Sequence, residues 1–326
     1  MKKWITATII FALLFICMVR YAFLHEISIE PYNMAIHQKK KELGIPAVYL
    51  ISYADGPEVF LRNQNALASS AINKGIDFIM NYRRDHLDPK FVKKNKQILD
   101  QKKGAGYWLW KPYLILKTLK EIPEGAVLIY SDTGLTLTKD IGEFLDLLIK
   151  DKGELLLTSY SKHSIKQITK RETFIRMGCD HEEAFKAPRL IGGFMVMKNT
   201  GRVRNFIQRW LKNCEDQNLL IEGSSSKPEY PEFSTHQHDQ SILSLLYYKE
   251  RNKQGINLYH FYEDQGRLLH YHHRHPMWKK RPYRILRGFK GKNIGDNSIE
   301  IGTATLLSIL NAVPTFINMH FARKEK

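Results

Sequence analysis

The sequence predicts an α/β protein with a mostly parallel central sheet. Three observations carry this. Short apolar, β-rich runs alternate with helical stretches through the first half of the chain. The stretches between those runs are long enough for crossover helices, which parallel pairing requires. Two of the runs end in "YADG" and "YSDTG", turn-forming acids and glycines at the strand ends where an open parallel sheet places its ligands.

The first expected strand is "AVYLIS", residues 47–52, after Gly44 and Pro46. A helix and the strand "FIMNY", residues 78–82, complete a strand–helix–strand unit. A basic helix is expected over "KNKQILDQKK", residues 94–103. The next starts at "KPYLILKTLKEI", with Pro112 in its first turn and Leu114, Ile115, Leu119 and Ile122 as its apolar positions. "AVLIY" is the third strand, "IGEFLDLLI" an amphipathic helix and "ELLLTS" a fourth strand. Further on, "GGFMVMK" is a strand entered through two glycines. "RVRNFIQRWLKNCE" places Val203, Phe206 and Trp210 on one helical face. "SSSKPEYPEFS" is a loop, "HDQSILSLLYYKE" a helix and "INLYHF" a late strand.

The chain has 326 residues, 43% of them hydrophobic, enough for a packed interior. Its formal charge of +17 attracts anionic partners: phosphorylated substrates, membrane surfaces or nucleic acid. The charge is spread and no recognised nucleic-acid-binding module occurs, so nucleic acid is not an expected partner. Cys17, Cys179 and Cys214 lack metal-ligand spacing; Cys179 and Cys214 are read as one disulfide or two buried thiols. The apolar run 4–24 follows Lys2 and Lys3 and is interrupted by Arg20. It reads as a retained signal anchor over 1–25, with a cytosolic N-terminus. A stem over 26–45, a catalytic domain over 46–290 and a C-terminal basic and apolar helical extension over 291–326 complete the expected organisation.

Several segments carry candidate chemistry. Asp132, at the end of a strand, suits a hard divalent cation, and reads equally well as an Asp-Thr-Gly turn. Lys111 stands at a helix start, where unpaired N–H groups also attract anions. Trp108 and Trp110 read as core anchors. Gly192 and Gly193 permit close backbone approach to a ligand, or a bulge. Asp239 and Gln240 open a helix, where an acid is also a common cap. His270 and His272 alternate as on a strand, within a block that also holds Lys279 and Lys280.

In this order, "GYWLWKPYLI", "VLIYSDTG", "LIGGFMVMKN", "HDQSILSLL" and "HYHHRHPMW" resemble the GT-A-fold glycosyltransferases, in particular those with a "GYWLWKP…YxDxG" pattern, and look related to the glycogenin-like, mannosyl- and galactosyltransferase groups. The resemblance runs from about residue 49 to 280. It implies a single Rossmann-like GT-A domain behind the anchor. The activity it implies moves a hexosyl group from a nucleotide-diphosphate sugar to a hydroxyl of a glycan, lipid or protein, with retention. It makes Asp132 the metal and diphosphate anchor, and Gly192 and Gly193 the lining of the donor side. Asp239 and Gln240 become contacts to the reacting sugar and acceptor, with Asp132 counted among the catalytic groups. His270 or His272 becomes a late ligand to Mn2+ or Mg2+, Lys279 a phosphate contact and Tyr53 a base contact. A Golgi-like lumen is implied for a eukaryotic protein, and membrane attachment otherwise. Gly134 stands where the family pattern has a second aspartate. A membrane-anchored, non-catalytic binding protein of the same fold is the alternative.

Overall fold

A computed structural model of the protein describes residues 12–16, 33–252, 255–260 and 268–271, with backbone alone for 160–163 and 270–271. Residues Asn33–Pro276 form one compact unit. Its six-stranded sheet has the order β2-β1-β3-β6-β5-β7. The strands are β1 (Val48–Tyr53), β2 (Phe78–Tyr82), β3 (Val127–Ser131), β5 (Leu155–Ser164), β6 (Pro188–Lys198) and β7 (Ile256–His260). The β1–β2, β1–β3 and β5–β7 pairs are parallel; β6 runs antiparallel to both β3 and β5. The expected mostly parallel sheet is therefore present, with one reversed strand at its middle. A small antiparallel pair joins β4 (Leu135–Leu137) to β8 (Leu269–Tyr271).

Alternation along the strands builds two apolar layers. Leu128 and Tyr130 face one side with Met195 and Met197, against α3 (Trp110–Glu121), α5 (Gly201–Cys214) and α6 (His238–Glu250). Val127 and Ile129 face the other with Phe194 and Val196, against α1 (Met34–Glu42), α2 (Glu58–Ser70) and α4 (Gly142–Ile149). The expected face of α5 is buried at Val203, Phe206, Ile207, Trp210 and Cys214, and Thr200 caps its start by accepting from Val203 N–H.

Two expectations change, and one open alternative is decided. Part of the expected stem is α1, docked on the domain. Ile36 is buried, and the Lys40 ammonium bonds the Asp77 carboxylate at 2.6 and 2.7 Å. Asp77 also accepts from Val48 N–H, so this pair ties α1 to the start of β1. Lys40 of this segment is thus buried in an ion pair, and the compact unit begins at 33. The single basic helix over 94–103 is instead two short ones, Pro89–Lys94 and Lys96–Leu99, divided at Asn95. Asn95 turns its side-chain amide to Phe91 carbonyl and Glu215, competing with helix continuation. Cys179 and Cys214 are free and buried, and burial pushes both thiols up.

Of the expected anchor, residues 12–16 are helical and the rest lies outside the described residues. Among the described residues, no helix is long and apolar enough to cross a membrane. The extension 291–326 also lies outside them.

Candidate active site

The site forms where β3 ends beside the middle of β6. The Asp132 N–H donates to Gly193 carbonyl at 2.8 Å, one step past the last paired residue of β3. On its other edge β6 bulges. Leu157 of β5 pairs with Met195, yet the next residue, Thr158, pairs with Ile191. Three residues of β6, Gly192 to Phe194, are thus left without partners on β5. The Thr158 hydroxyl spans the gap, lying 3.1 Å from Ile191 carbonyl and 2.9 Å from Phe194 carbonyl. Released from the ladder, Gly192 N–H donates to Gln240 Oε1 at 2.9 Å.

Side chains from three elements meet over this bulge. Lys111, the second residue of α3, is only 2% exposed. Its Nζ lies 3.0 Å from Asp239 Oδ2 and 3.6 Å from Asp132 Oδ1. Tyr130, two residues before Asp132 on β3, donates its hydroxyl to Asp132 Oδ1. Asp239 is 2% exposed, and its carbonyl accepts from Trp210 Nε1–H at 3.0 Å. Asp239 Oδ2 has no hydrogen bond of good geometry despite the nearby ammonium. Its close polar contact is that ammonium, at 3.0 Å.

The two glycines make the assembly possible. A Cβ at Gly192 would stand 3.0 Å from Asp239 Oδ2 and 3.2 Å from Lys111 Nζ; one at Gly193 would stand 3.1 Å from Asp132 Oδ2. Gly192→Ala is expected to lower stability by about 1–3 kcal/mol through overpacking, read as a fall in melting temperature. A melting temperature equal to wild type would mean that the cluster yields freely to the methyl group.

Electrostatics follow from burial. Burial raises the Asp239 carboxyl to about 6, against the opposing pull of Lys111. Burial also works to lower Lys111, but Asp132 and Asp239 outweigh it and its pKa is raised, so it stays an ammonium. Tyr130 is pushed well above its usual value by burial and by Asp132. The result is two carboxylates held around one buried cation, with Asp132 the more open member at 39% side-chain exposure.

The loop leading into α3 is backbone-strained. Gly104, Ala105, Gly106, Tyr107 and Trp108 all have positive φ: 57, 50, 100, 51 and 59°. This is a left-handed turn, closed by Tyr107 N–H to Lys103 carbonyl and Trp108 N–H to Gly104 carbonyl. Each non-glycine residue in it costs about 1–2 kcal/mol. Packing holds it. Trp110 Nε1–H donates to Gly104 carbonyl at 2.9 Å, and the His238 ring lies 5.5 Å from Trp108 and 4.9 Å from Tyr107. His238 itself has φ +48°. Backbone strain therefore gathers on both approaches to the ion cluster, before Lys111 and before Asp239.

The structure thus brings together Asp132, Lys111, Gly192, Gly193, Asp239 and Gln240. Asp239 is not the solvated cap that its position permits: Gln237 is the cap residue and Asp239 is buried in the first turn. Tyr53 is buried, stacked on Trp110 with ring centroids 4.0 Å apart, its hydroxyl donating to Asp55. It therefore backs Trp110 instead of lining an open wall. The β4–β8 pair sets His270 opposite Thr136, close after Asp132 in the chain. The His270 side chain, and His272 and Lys279 altogether, lie outside the described residues. Tyr130, Thr158 and Trp210 are contributors that the sequence reading missed. For Tyr130 a signal existed, since residues two apart on a strand share a face.

The described residues fit attachment of a hard cation at one carboxylate, not a full cage. Asp132 is partly exposed, and glycine at 193 leaves its Oδ2 clear, whereas Lys111 fills the space shared with Asp239. Among the described residues, no group of three His, Cys, Asp or Glu side chains is placed to hold a metal.

No protein-family model matches the chain, and no curated protein matches it in sequence. Solved structures with some likeness include mouse xyloside xylosyltransferase 1 in its apo form, at 10% identity over 65% of this chain and 84% of that one, TM-score 0.40. A glycosyltransferase involved in glycosylation of the major capsid of PBCV-1 shares 10% identity over 67% of this chain and 83% of that one, TM-score 0.41. A 4-diphosphocytidyl-2C-methyl-D-erythritol synthase from Anaerococcus prevotii shares 12% identity over 66% and 88%, TM-score 0.31. Likeness at this level carries no assignment of substrate or reaction.

Proposed function

We propose that the protein is a glycosyltransferase that moves a hexosyl group from a nucleotide-diphosphate sugar to a hydroxyl acceptor. The observation that carries this reading is the Asp132–Lys111–Asp239 cluster, set over the Gly192–Gly193 bulge at the carboxyl end of β3. The sequence resemblance expects donor and acceptor contacts at Asp132, Gly192, Gly193 and Asp239, and the helix-start position of Lys111 suits an anion.

Glycosyl transfer builds positive charge on the sugar and negative charge on the departing diphosphate. Asp239, buried and ionised above about pH 6, is suited to face the developing sugar cation or to orient the acceptor hydroxyl. Gln240 holds the Gly192 amide and so fixes the floor under the sugar. Lys111 keeps the two carboxylates together and ionised, so little reorganisation is needed when the substrate arrives. Gln64 donates to the Ser52 hydroxyl and Ser52 to Asn81, tying together the ends of β1 and β2. Asp132 would hold Mn2+ or Mg2+, which would neutralise diphosphate charge. His270, His272 and Lys279 remain proposed partners for the ion and the phosphates. Retention of configuration, the hexosyl donor, the membrane anchor and a Golgi-like or membrane-attached location belong to this proposal as well.

The first test is a thermal-shift screen of nucleoside diphosphates and their sugars, with and without Mn2+. A bound donor is expected to raise the melting temperature by mass action. Donor hydrolysis by Asp132→Ala and Asp239→Asn should then fall by about 100-fold or more. Full activity in both variants would sink the assignment. Binding of a donor with no turnover on any acceptor would favour the non-catalytic reading.

The pH dependence follows from the raised Asp239 carboxyl. Below about pH 6 it takes up a proton and loses the charge proposed to act on the sugar. Turnover is therefore expected to fall through an acid limb centred near pH 6, and Asp239→Asn should abolish that limb in whatever activity remains. A wild-type limb near pH 4 would show that Asp239 is not the group being read.

A further inference from the structure

Outside the ion cluster, the buried Lys170 has no carboxylate in direct contact among the described residues. Lys170 is 3% exposed, and its ammonium donates to Ile221 carbonyl at 2.5 Å. Among the described residues no carboxylate lies within 4.0 Å of it. The nearby acids are engaged elsewhere. Glu172 accepts from Arg176 at 2.6 Å and from Ser226 N–H and hydroxyl at 2.9 and 2.7 Å. Glu229 accepts from Arg171 N–H and from the Ser225 hydroxyl. Burial lowers the Lys170 pKa, against the opposing pull of Glu172, Glu229 and Asp216, none of which touches it.

Lys170 lines a cavity of about 440 Å³, together with the Glu172–Arg176 ion pair, Gln217, Asn218 and the loop Gly223, Ser224, Ser225, Ser226. Such a volume suits a small ligand. Apart from Ile221 the wall is almost entirely hydrogen-bonding. Glu222 also belongs to it, but is paired to Lys103 and lies 3.8 Å from His238 Nε2. His238 directly precedes Asp239, and its Nδ1 bonds Leu220 carbonyl at 2.8 Å. The lining Glu222 thus touches His238, the sequence neighbour of the proposed catalytic carboxylate.

We infer that this cavity binds a polyhydroxylated ligand carrying an anionic group, a carboxylate or a phosphate, with Lys170 as its counter-ion. Hydroxyls suit the Ser, Asn and Gln lining, and the anion supplies the partner that Lys170 lacks. The chain's charge of +17 would draw such a ligand in. The ligand's role as an acidic acceptor rests on the glycosyltransferase reading; its binding does not.

The test uses the full chain without donor, titrated with glucuronate, glucose or inorganic phosphate and followed by NMR or thermal shift. Wild type is expected to bind glucuronate at least about tenfold more tightly than glucose. Lys170→Met should lose that preference. Because Lys170→Met removes a buried bond and can unfold the loop, Ser224→Asp provides a second variant. Ser224 is exposed, so the fold should persist while the new charge weakens glucuronate about two- to fivefold by repulsion. Phosphate binding without glucuronate binding would make the anion a phosphoryl group. The inference is overturned if neither anion binds, if glucose binds equally well, or if Ser224→Asp binds glucuronate unchanged. The nucleoside diphosphate screen reports separately on the glycosyltransferase reading.

Discussion

Replacing Lys111 by methionine is expected to destabilise the protein by about 3–5 kcal/mol, because it leaves buried carboxylate charge uncompensated. Donor turnover should be lost with it. The pH dependence of the deficit separates charge from packing. Lys111 is the group that holds the Asp239 carboxyl down against burial, so its removal moves that carboxyl above about 6. The folded variant then retains a proton that the unfolded chain has already released. Its stability is therefore lowest at alkaline pH and recovers as pH falls through the raised folded pKa. Melting curves of both proteins from pH 8 to pH 5 should converge toward the acid end. A constant gap would mean that Lys111 contributes through its aliphatic stem.

The second large effect is expected at Gly106. Alanine there must adopt φ +100°, and its Cβ would stand 2.7 Å from Leu99 Cα and 3.1 Å from Leu99 carbonyl oxygen, both backbone atoms. No side chain can swing away to relieve this. The cost is about 3 kcal/mol or more, the sum of backbone strain and overpacking. Activity should fall further than stability, since Lys111 N–H bonds Trp108 carbonyl at the end of the same turn. The neighbouring Ala105→Gly is the control. It relieves strain at φ +50° but loosens the unfolded chain, and the two effects nearly cancel. Chemical denaturation of both variants measures the contrast; equal loss in the two would refute the backbone account.

The central strands β1, β3 and β6 are legible in the sequence because they are largely buried on both faces and read as apolar runs. The α5 face is legible because Val203, Phe206 and Trp210 recur at helical spacing. Asp132, Lys111, Gly192, Gly193, Asp239 and Gln240 could each be singled out from strand ends and helix starts. Their union could not, because the Lys111 ion pairs join residues distant in the chain. The left-handed turn was hidden for another reason: Tyr107 and Trp108 hold a conformation that local preference opposes, and tertiary packing on His238 and Leu99 enforces it. Helix α1 has little apolar periodicity and is docked through Lys40 and Asp77, so it reads as linker. Strands β4 and β8, three residues each, are too short to declare themselves.

The reversed strand β6 has a mechanical consequence. Strands β2, β1 and β3 lie on one side of it, and β5 and β7 on the other. Lys111 lies on the helix leading into β3 and Asp132 directly follows β3, whereas Asp239 and Gln240 come from the helix leading into β7. The bulge at Gly192 and Gly193 is the seam between them. A ligand spanning these groups staples the two halves of the sheet across that seam. Amide hydrogens on both edges of β6 should then exchange more slowly when the site is filled, so that occupancy can be read from the backbone of a strand that supplies no reacting side chain.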